Sequence, residues 1–386
     1  MSLPSTTTAN PLSSNSNSNS NEVIVATFNI GFDQETAFGA LRERLEDGED
    51  EQARKIAEII QIVRPDIILL NEIDANDRSA VLTVFKQKYL EIAQGAQSAI
   101  RYPYGYQPAT NTGVNAPYQL SEFDQHNQFG FGNYSGQYGM ALLSKYPLVT
   151  EKIRTFQHFL WKDKPDHQKP QCQKGPYYSE MGWQRMRLSS KNHAVIPVDI
   201  NDCVLNLVIA HPTPPVFDGE EQRNAKRNYD EIGLLKDIVE GNNYLYDDAD
   251  TPFHTPLAEP FCIMGDLNAS TSEGDAFVFN GQRAISHLLA SKRVTPGLDE
   301  CLDNNIVPQS EGGSLRNVES QYRRYHTTDW GMRADYIIAS AQGIEYLDSG
   351  VYWPTQQDSA HSLVSSSGNS PSSSDHRLVW ARLTLL

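Results

Sequence analysis

Apolar residues along this chain fall into short runs that each stop at a polar side chain. Val23-Ile-Val-Ala-Thr-Phe-Asn29 is rich in β-branched residues and reads as a buried strand ending at Asn29. Ile56, Ile59, Ile60 and Val63 then recur at helical spacing, and Pro65 marks the end of that helix. Ile67-Ile-Leu-Leu70 is strand-like again and runs straight into Asn71-Glu72. Strand, helix and strand within about 50 residues predict a βαβ unit.

The pattern continues less regularly. Residues 101–136 are rich in Tyr, Asn, Gln and Gly without periodicity, which predicts a long loop. Gly139–Ser144 reads as a strand, with 150–156 as its hairpin partner, and a second irregular insert covers 157–184. Strands are expected at 194–200 and 204–211, and helical spacing returns over 220–239. Phe261-Cys-Ile-Met264 is a short strand feeding Gly265-Asp-Leu-Asn268. A helix near 282–290 and strands at 333–338 and 377–385 complete the reading, with a flexible Ser-rich tract over 365–374. No internal repeat or central linker interrupts 22–386, so one domain is expected there. The Ser/Asn-rich stretch 1–21 cannot bury enough apolar surface to offset chain entropy and is read as disordered.

Composition adds exclusions. No run approaches the roughly 20 apolar residues of a membrane span. The N-terminus lacks the basic and apolar regions of an intact signal peptide. The net charge of −16 argues against a broad electrostatic grip on nucleic acid. Cys172, Cys203, Cys262 and Cys301 are scattered without a CxxC pair, which disfavours a zinc site.

The candidate chemistry lies where the strands stop: Asn29, Glu72, His211, Asp266 with Asn268, Asp335, and Asp375 with His376. Sites in α/β sheets gather outside strand ends, so these side chains can converge, although each alone is also an ordinary turn residue. No GxSxG elbow, Walker loop or GxGxxG is present, which removes support for acyl transfer, P-loop chemistry and Rossmann redox. Carboxylates such as Glu72 and Asp375 suit Mg²⁺, Mn²⁺ or Ca²⁺ better than Zn²⁺. A hard cation, a carboxylate, amide donors and an imidazole together meet the needs of phosphoryl transfer. Arg333 carries two readings, a bidentate phosphate clamp on the face of Asp335 or a salt bridge with a neighbouring carboxylate. Arg223 and Arg227 read as solvated, His193 and His326 as surface or capping histidines, and Asp247-Asp-Ala-Asp250 as a solvated loop.

Thr27-Phe-Asn29-Ile, Leu70-Asn-Glu72-Ile, Gly265-Asp266-Leu-Asn268, Arg333-Ala-Asp335-Tyr and Ser374-Asp375-His376 resemble, in order, the motifs of the endonuclease/exonuclease/phosphatase superfamily. The resemblance covers about residues 23–386 and is closest to an often secreted bacterial branch. It implies a DNase-I-like four-layer α-β-β-α sandwich with two mixed sheets, and metal-dependent hydrolysis of a phosphate ester. Carried over position by position, Glu72 would ligate Mg²⁺ (or Mn²⁺ or Ca²⁺), with Asn29 beside it and Asp375 completing the shell. Asp266 would activate the attacking water, and Asn268 would hold it or a phosphate oxygen. His376 would contact a phosphoryl oxygen, Asp335 would fix its tautomer, and His211 would stand near the leaving group. Arg333 and Tyr138 are candidates for substrate contact, Tyr138 having a core or loop role as its alternative. Gly31 replaces a carboxylate or amide that some relatives carry. The expected partner is a phosphate-ester substrate, with nucleic acid entering only as substrate. A nuclease and a catalytically inactive binding module are the competing readings.

Overall fold

The computed structural model describes residues 21–75, 80–123, 126–173, 175–302, 306–314, 316–367 and 372–386. Two mixed sheets organise them. The first contains β1 (Glu22–Asn29), β2 (Ile67–Ile73), β3 (Tyr104–Tyr106), β4 (Gly139–Ser144), β10 (Ile344–Val351) and β11 (Val379–Leu385), in the order β10-β11-β1-β2-β4-β3. The second contains β5 (Arg154–Thr155), β6 (His193–Ile200), β7 (Cys203–Ala210), β8 (Phe261–Asp266) and β9 (Asp335–Ala339), in the order β9-β8-β7-β6-β5.

Period-2 alternation decides the layering. In the second sheet Ile196, Leu207, Ile209, Met264 and Ile337 join the core shared with the first sheet. Their neighbours Val195, Val208, Ile263 and Ile338 face a second core with α2 (Arg223–Glu240) and α3 (Ala284–Leu289). On the other side α1 (Glu51–Val63) buries Ile56, Ile59, Ile60 and Val63 against the first sheet, as its spacing predicts. The result is the DNase-I-like α-β-β-α arrangement. Asp50 starts α1 by accepting the Ala53 amide at 2.8 Å, and Asp218 starts α2 by accepting the amides of Asn224 and Ala225 at 2.7 and 2.8 Å.

Strand direction explains why the polar junctions meet. β1 and β2 run parallel, as do β7 and β8, so Asn29, Glu72, His211 and Asp266 all leave C-terminal strand ends. β9 and β11 run antiparallel to β8 and β1, which brings Asp335 and the Asp375-His376 approach to the same rim.

Several expectations change. Residues 150–156 do not pair with β4; the partners of β4 are β2 and β3, and Arg154–Thr155 joins β6 of the other sheet after a short 3-10 turn. The predicted 101–136 loop contains β3, and β10 escaped notice because its polar residues break the alternation. Arg227 is buried rather than solvated, bonding the carbonyls of Leu188 and Phe129. His193 is buried between Ser189 and the Glu231 carbonyl, and His326 is buried against Glu273. Asp247 is buried and pairs with Arg154. All four cysteines are unpaired. Residues 1–20 of the Ser/Asn-rich stretch, and 368–371 of the Ser-rich tract, lie outside the described residues. No described helix is long and apolar enough to cross a membrane.

Candidate active site

The site is built around Asp266, the last residue of β8. Gly265 before it has φ +151°, and a Cβ there would lie 1.9 Å from the Ala210 carbonyl oxygen. Only glycine lets β7 and β8 close at this point, which explains the Gly-Asp pair. The Asp266 carboxylate receives the Asn29 side-chain amide at 3.0 Å and the Asn268 backbone amide at 2.9 Å. Its Oδ2 also lies 3.5 Å from both His211 Nε2 and His376 Nε2.

Each partner is held from behind. His376 Nδ1 meets Asp335 Oδ2 at 2.8 Å, and the same oxygen accepts the Thr327 hydroxyl at 2.6 Å. Asp335 is paired directly with Asp266 across β8 and β9. Ser374 donates to the Asn29 carbonyl at 2.8 Å and accepts the His376 amide at 3.0 Å. Gln52, from the first turn of α1, clamps the carbonyls of Gly31 and Ser373 at 3.1 Å each. Asn268 anchors itself by donating to the Pro212 carbonyl at 3.2 Å.

Glu72 reaches the same centre by a backbone irregularity. Its φ is +60° and the β2–β4 register slips between Asn71 and Ile73, so the side chain is re-aimed from its strand position. Its carboxylate is 3.9 Å from His211 Nε2, with Asn29 beside it. Burial, then the neighbouring Asp33, pushes it up to about 7. Asp33 is itself raised by burial and by Asp375. These crowded oxygens are hard donors short of positive charge, a set that fits a divalent cation. Asp266, Asp335 and His376 also offer atoms within 4.8 Å of one another. The Asp335–His376 bond uses Asp335 Oδ2 and His376 Nδ1, which leaves Asp335 Oδ1 and His376 Nε2 on that side.

The two histidines are pushed in opposite directions. Burial, then Lys191 and His376, drives His211 well below the ordinary imidazole value. Burial also opposes charge on His376, but Asp335 and Asp266 outweigh it and hold it well above that value. Burial likewise raises Asp266 to about 6, with His376 pulling against it. The centre thus sets an imidazole pushed towards its neutral form against one pushed towards its charged form, around one carboxylate.

The other expected residues separate. Asp375 is exposed and close enough to raise Asp33. Tyr138 is half-buried, its ring 6.3 Å from Phe131, and burial with Asp33 and Glu72 lifts it to about 12. Arg333 does not join the site: it is 1% exposed and bonds the Leu298 carbonyl at 2.7 Å and Glu300 at 3.2 Å. It precedes β9 instead of lying within it, so the shared-face argument with Asp335 fails.

Sequence reasoning missed two charged residues. Asp33 sits four positions after Asn29 within the loop that follows β1, where no strand periodicity marked it. Lys191 is 6% exposed just before β6, with Glu231, Glu72 and Asp266 as its charged neighbours. Glu231 of α2 accepts the amides of Ser190 and Thr213 at 2.6 Å each, tying together the loops around Lys191 and His211. A lone lysine in Ser-Lys-Asn-His carries no sequence signal.

Residues 26–376 match the Endonuclease/Exonuclease/phosphatase family, and the chain belongs to that family. Among solved structures it is similar to an endonuclease/exonuclease/phosphatase from Beutenbergia cavernae DSM 12333, at 15% identity and TM-score 0.48, covering 95% of this chain and 72% of that one. It is also similar to sphingomyelinase C from Streptomyces griseocarneus (15%, TM-score 0.47, 94% and 99%) and to the human nocturnin catalytic domain (13%, TM-score 0.44, 95% and 94%). Comparison with curated proteins gives no match.

Proposed function

We propose that this protein is a divalent-metal-dependent phosphoesterase that hydrolyses a phosphodiester or phosphomonoester by in-line attack of water. The observation that carries this reading is the convergence of Glu72, Asn29, Asp266, His211 and His376 on one carboxylate-centred pocket, from strand ends far apart in sequence.

Asp266, at about 6, is matched to accept a proton from water near neutral pH. Asn268, whose backbone amide binds Asp266, would orient that water. The imidazolium of His376, kept in one tautomer by Asp335, offers a positive donor to a non-bridging phosphoryl oxygen. His211, neutral, serves the leaving oxygen. Glu72, with Asn29 and Asp375 as the expected companions and Asp33 added by its position, would hold Mg²⁺, or Mn²⁺ or Ca²⁺ in its place. Such a cation supplies neutralisation of charge on the phosphoryl oxygens. A nuclease is the second reading, favoured by exposed Phe131 beside Tyr138 and Trp330 edge-on 5.0 Å from His376, both able to stack on a base.

The test is hydrolysis of a chromogenic diester and monoester with each of the three cations, with and without chelator, beside plasmid DNA at low salt. Turnover that needs the cation is expected. No turnover with any of them would leave a binding module of the same fold, and DNA cleavage far faster than the small esters would establish the nuclease.

A further inference from the structure

A cavity of about 480 Å³ lies behind the segment that carries Asp375 and His376. That volume suits a small ligand. Its charged lining is Arg316, Arg323 and Arg377 against Glu311 and Asp329, an excess of positive charge in a chain whose net charge is −16.

The arginines are built in rather than incidental. Arg377 is 2% exposed, donates to the carbonyls of Ser374 and His376 at 2.8 Å each, and pairs with Asp329. Its guanidinium lies 4.3 Å over the Trp353 ring, and its Nε is buried without a partner. Arg323 is fixed by the carbonyls of Ser314 and Gly312 at 2.9 Å each. Arg316 is exposed at the cavity. Asp329 pairs with Arg377 and lies within electrostatic reach of Arg316, and Glu311 is the other carboxylate of the lining, so three guanidiniums face two carboxylates. Planar guanidinium forks favour oxyanions such as phosphate over other small ligands.

We propose that this cavity is a second oxyanion subsite, taking a phosphate group close to the reaction centre. The group is either a second phosphate of the substrate or free phosphate. Only the link to turnover rests on the phosphoesterase reading. A ligand here would brace the segment holding His376, because Arg377 bonds the His376 carbonyl and the Asp329 amide bonds the Asp375 carbonyl at 2.8 Å.

The test titrates inorganic phosphate by calorimetry into the chelated full chain and its Arg316→Gln, Arg316→Lys and Asp335→Asn variants. Arg316→Gln is expected to bind at least about tenfold more weakly, with unchanged circular dichroism, while Arg316→Lys falls between and Asp335→Asn keeps the Arg316-dependent binding. Equal binding by the wild type and Arg316→Gln, or no binding by the wild type, overturns the subsite. A KM raised about tenfold in Arg316→Gln for a sugar bisphosphate, but not for p-nitrophenyl phosphate, identifies the substrate's own second phosphate. Unchanged KM values alongside lost phosphate binding identify the free anion. Arg316-dependent binding in a protein without turnover keeps the subsite and removes the phosphoesterase reading.

Discussion

His376 stands between two carboxylates, its Nδ1 2.8 Å from Asp335 and its Nε2 3.5 Å from Asp266. The first contact orients the ring and the second presents it to the centre. Because Asp335 also binds Thr327, its oxygen is fixed before any substrate arrives.

Asp335→Asn should therefore lower kcat by about 10²- to 10⁴-fold, the usual worth of a positioned acid or base. The carboxylate raises the His376 value, so its loss lets the proton leave at lower pH. The alkaline limb of the kcat profile should move down in pH. An unmoved limb with normal kcat would remove Asp335 from the role given to it.

Glu72 makes cation binding pH-dependent. Its folded value of about 7 exceeds the ordinary 4.5, so the fold favours the protonated acid and loses stability as pH rises from the lower value to the higher. A cation needs the ionised form, so affinity should climb from about pH 6 to about pH 8 and level off above. Calorimetry with Mg²⁺ would show this, and Glu72→Gln should abolish most of the binding. Undiminished affinity in that variant places the ligands elsewhere.

Lys191→Met should leave Glu72 and Asp266 with less nearby positive charge and relieve His211 of a repulsive neighbour. The acidic limb of kcat should shift to higher pH. Glu231 keeps its two backbone amides, so the loops should stay in place, which circular dichroism would check. A falling melting temperature with an unshifted limb would mean a purely structural lysine.

Arg333→Met strands the buried Glu300, and breaking such a pair typically costs about 3–5 kcal/mol. Urea unfolding should show that loss, while KM for a small ester stays near normal in the folded fraction. Full stability with a sharply raised KM would restore the phosphate-clamp reading.

Much of the fold and of the candidate site was legible because both follow from local chemistry. Runs such as Val23–Asn29 and the Ile56-to-Val63 stripe state their own periodicity, and a polar side chain ending an apolar run announces a strand end. Arg333 and Lys191 show where that reading stops: one long cationic side chain turned inward to Glu300, and another was buried within electrostatic reach of Glu72 and Asp266, though neither sequence context distinguishes the two. The hairpin expected at 150–156 failed for the same reason, because adjacency in the chain does not say which sheet a short strand joins. Local pattern determined which segments are strands and helices and which residues stand at their ends. The parallel pairing of β1 with β2 and of β7 with β8 decided that those ends meet, since charges come together only through long-range packing that no neighbouring residue encodes.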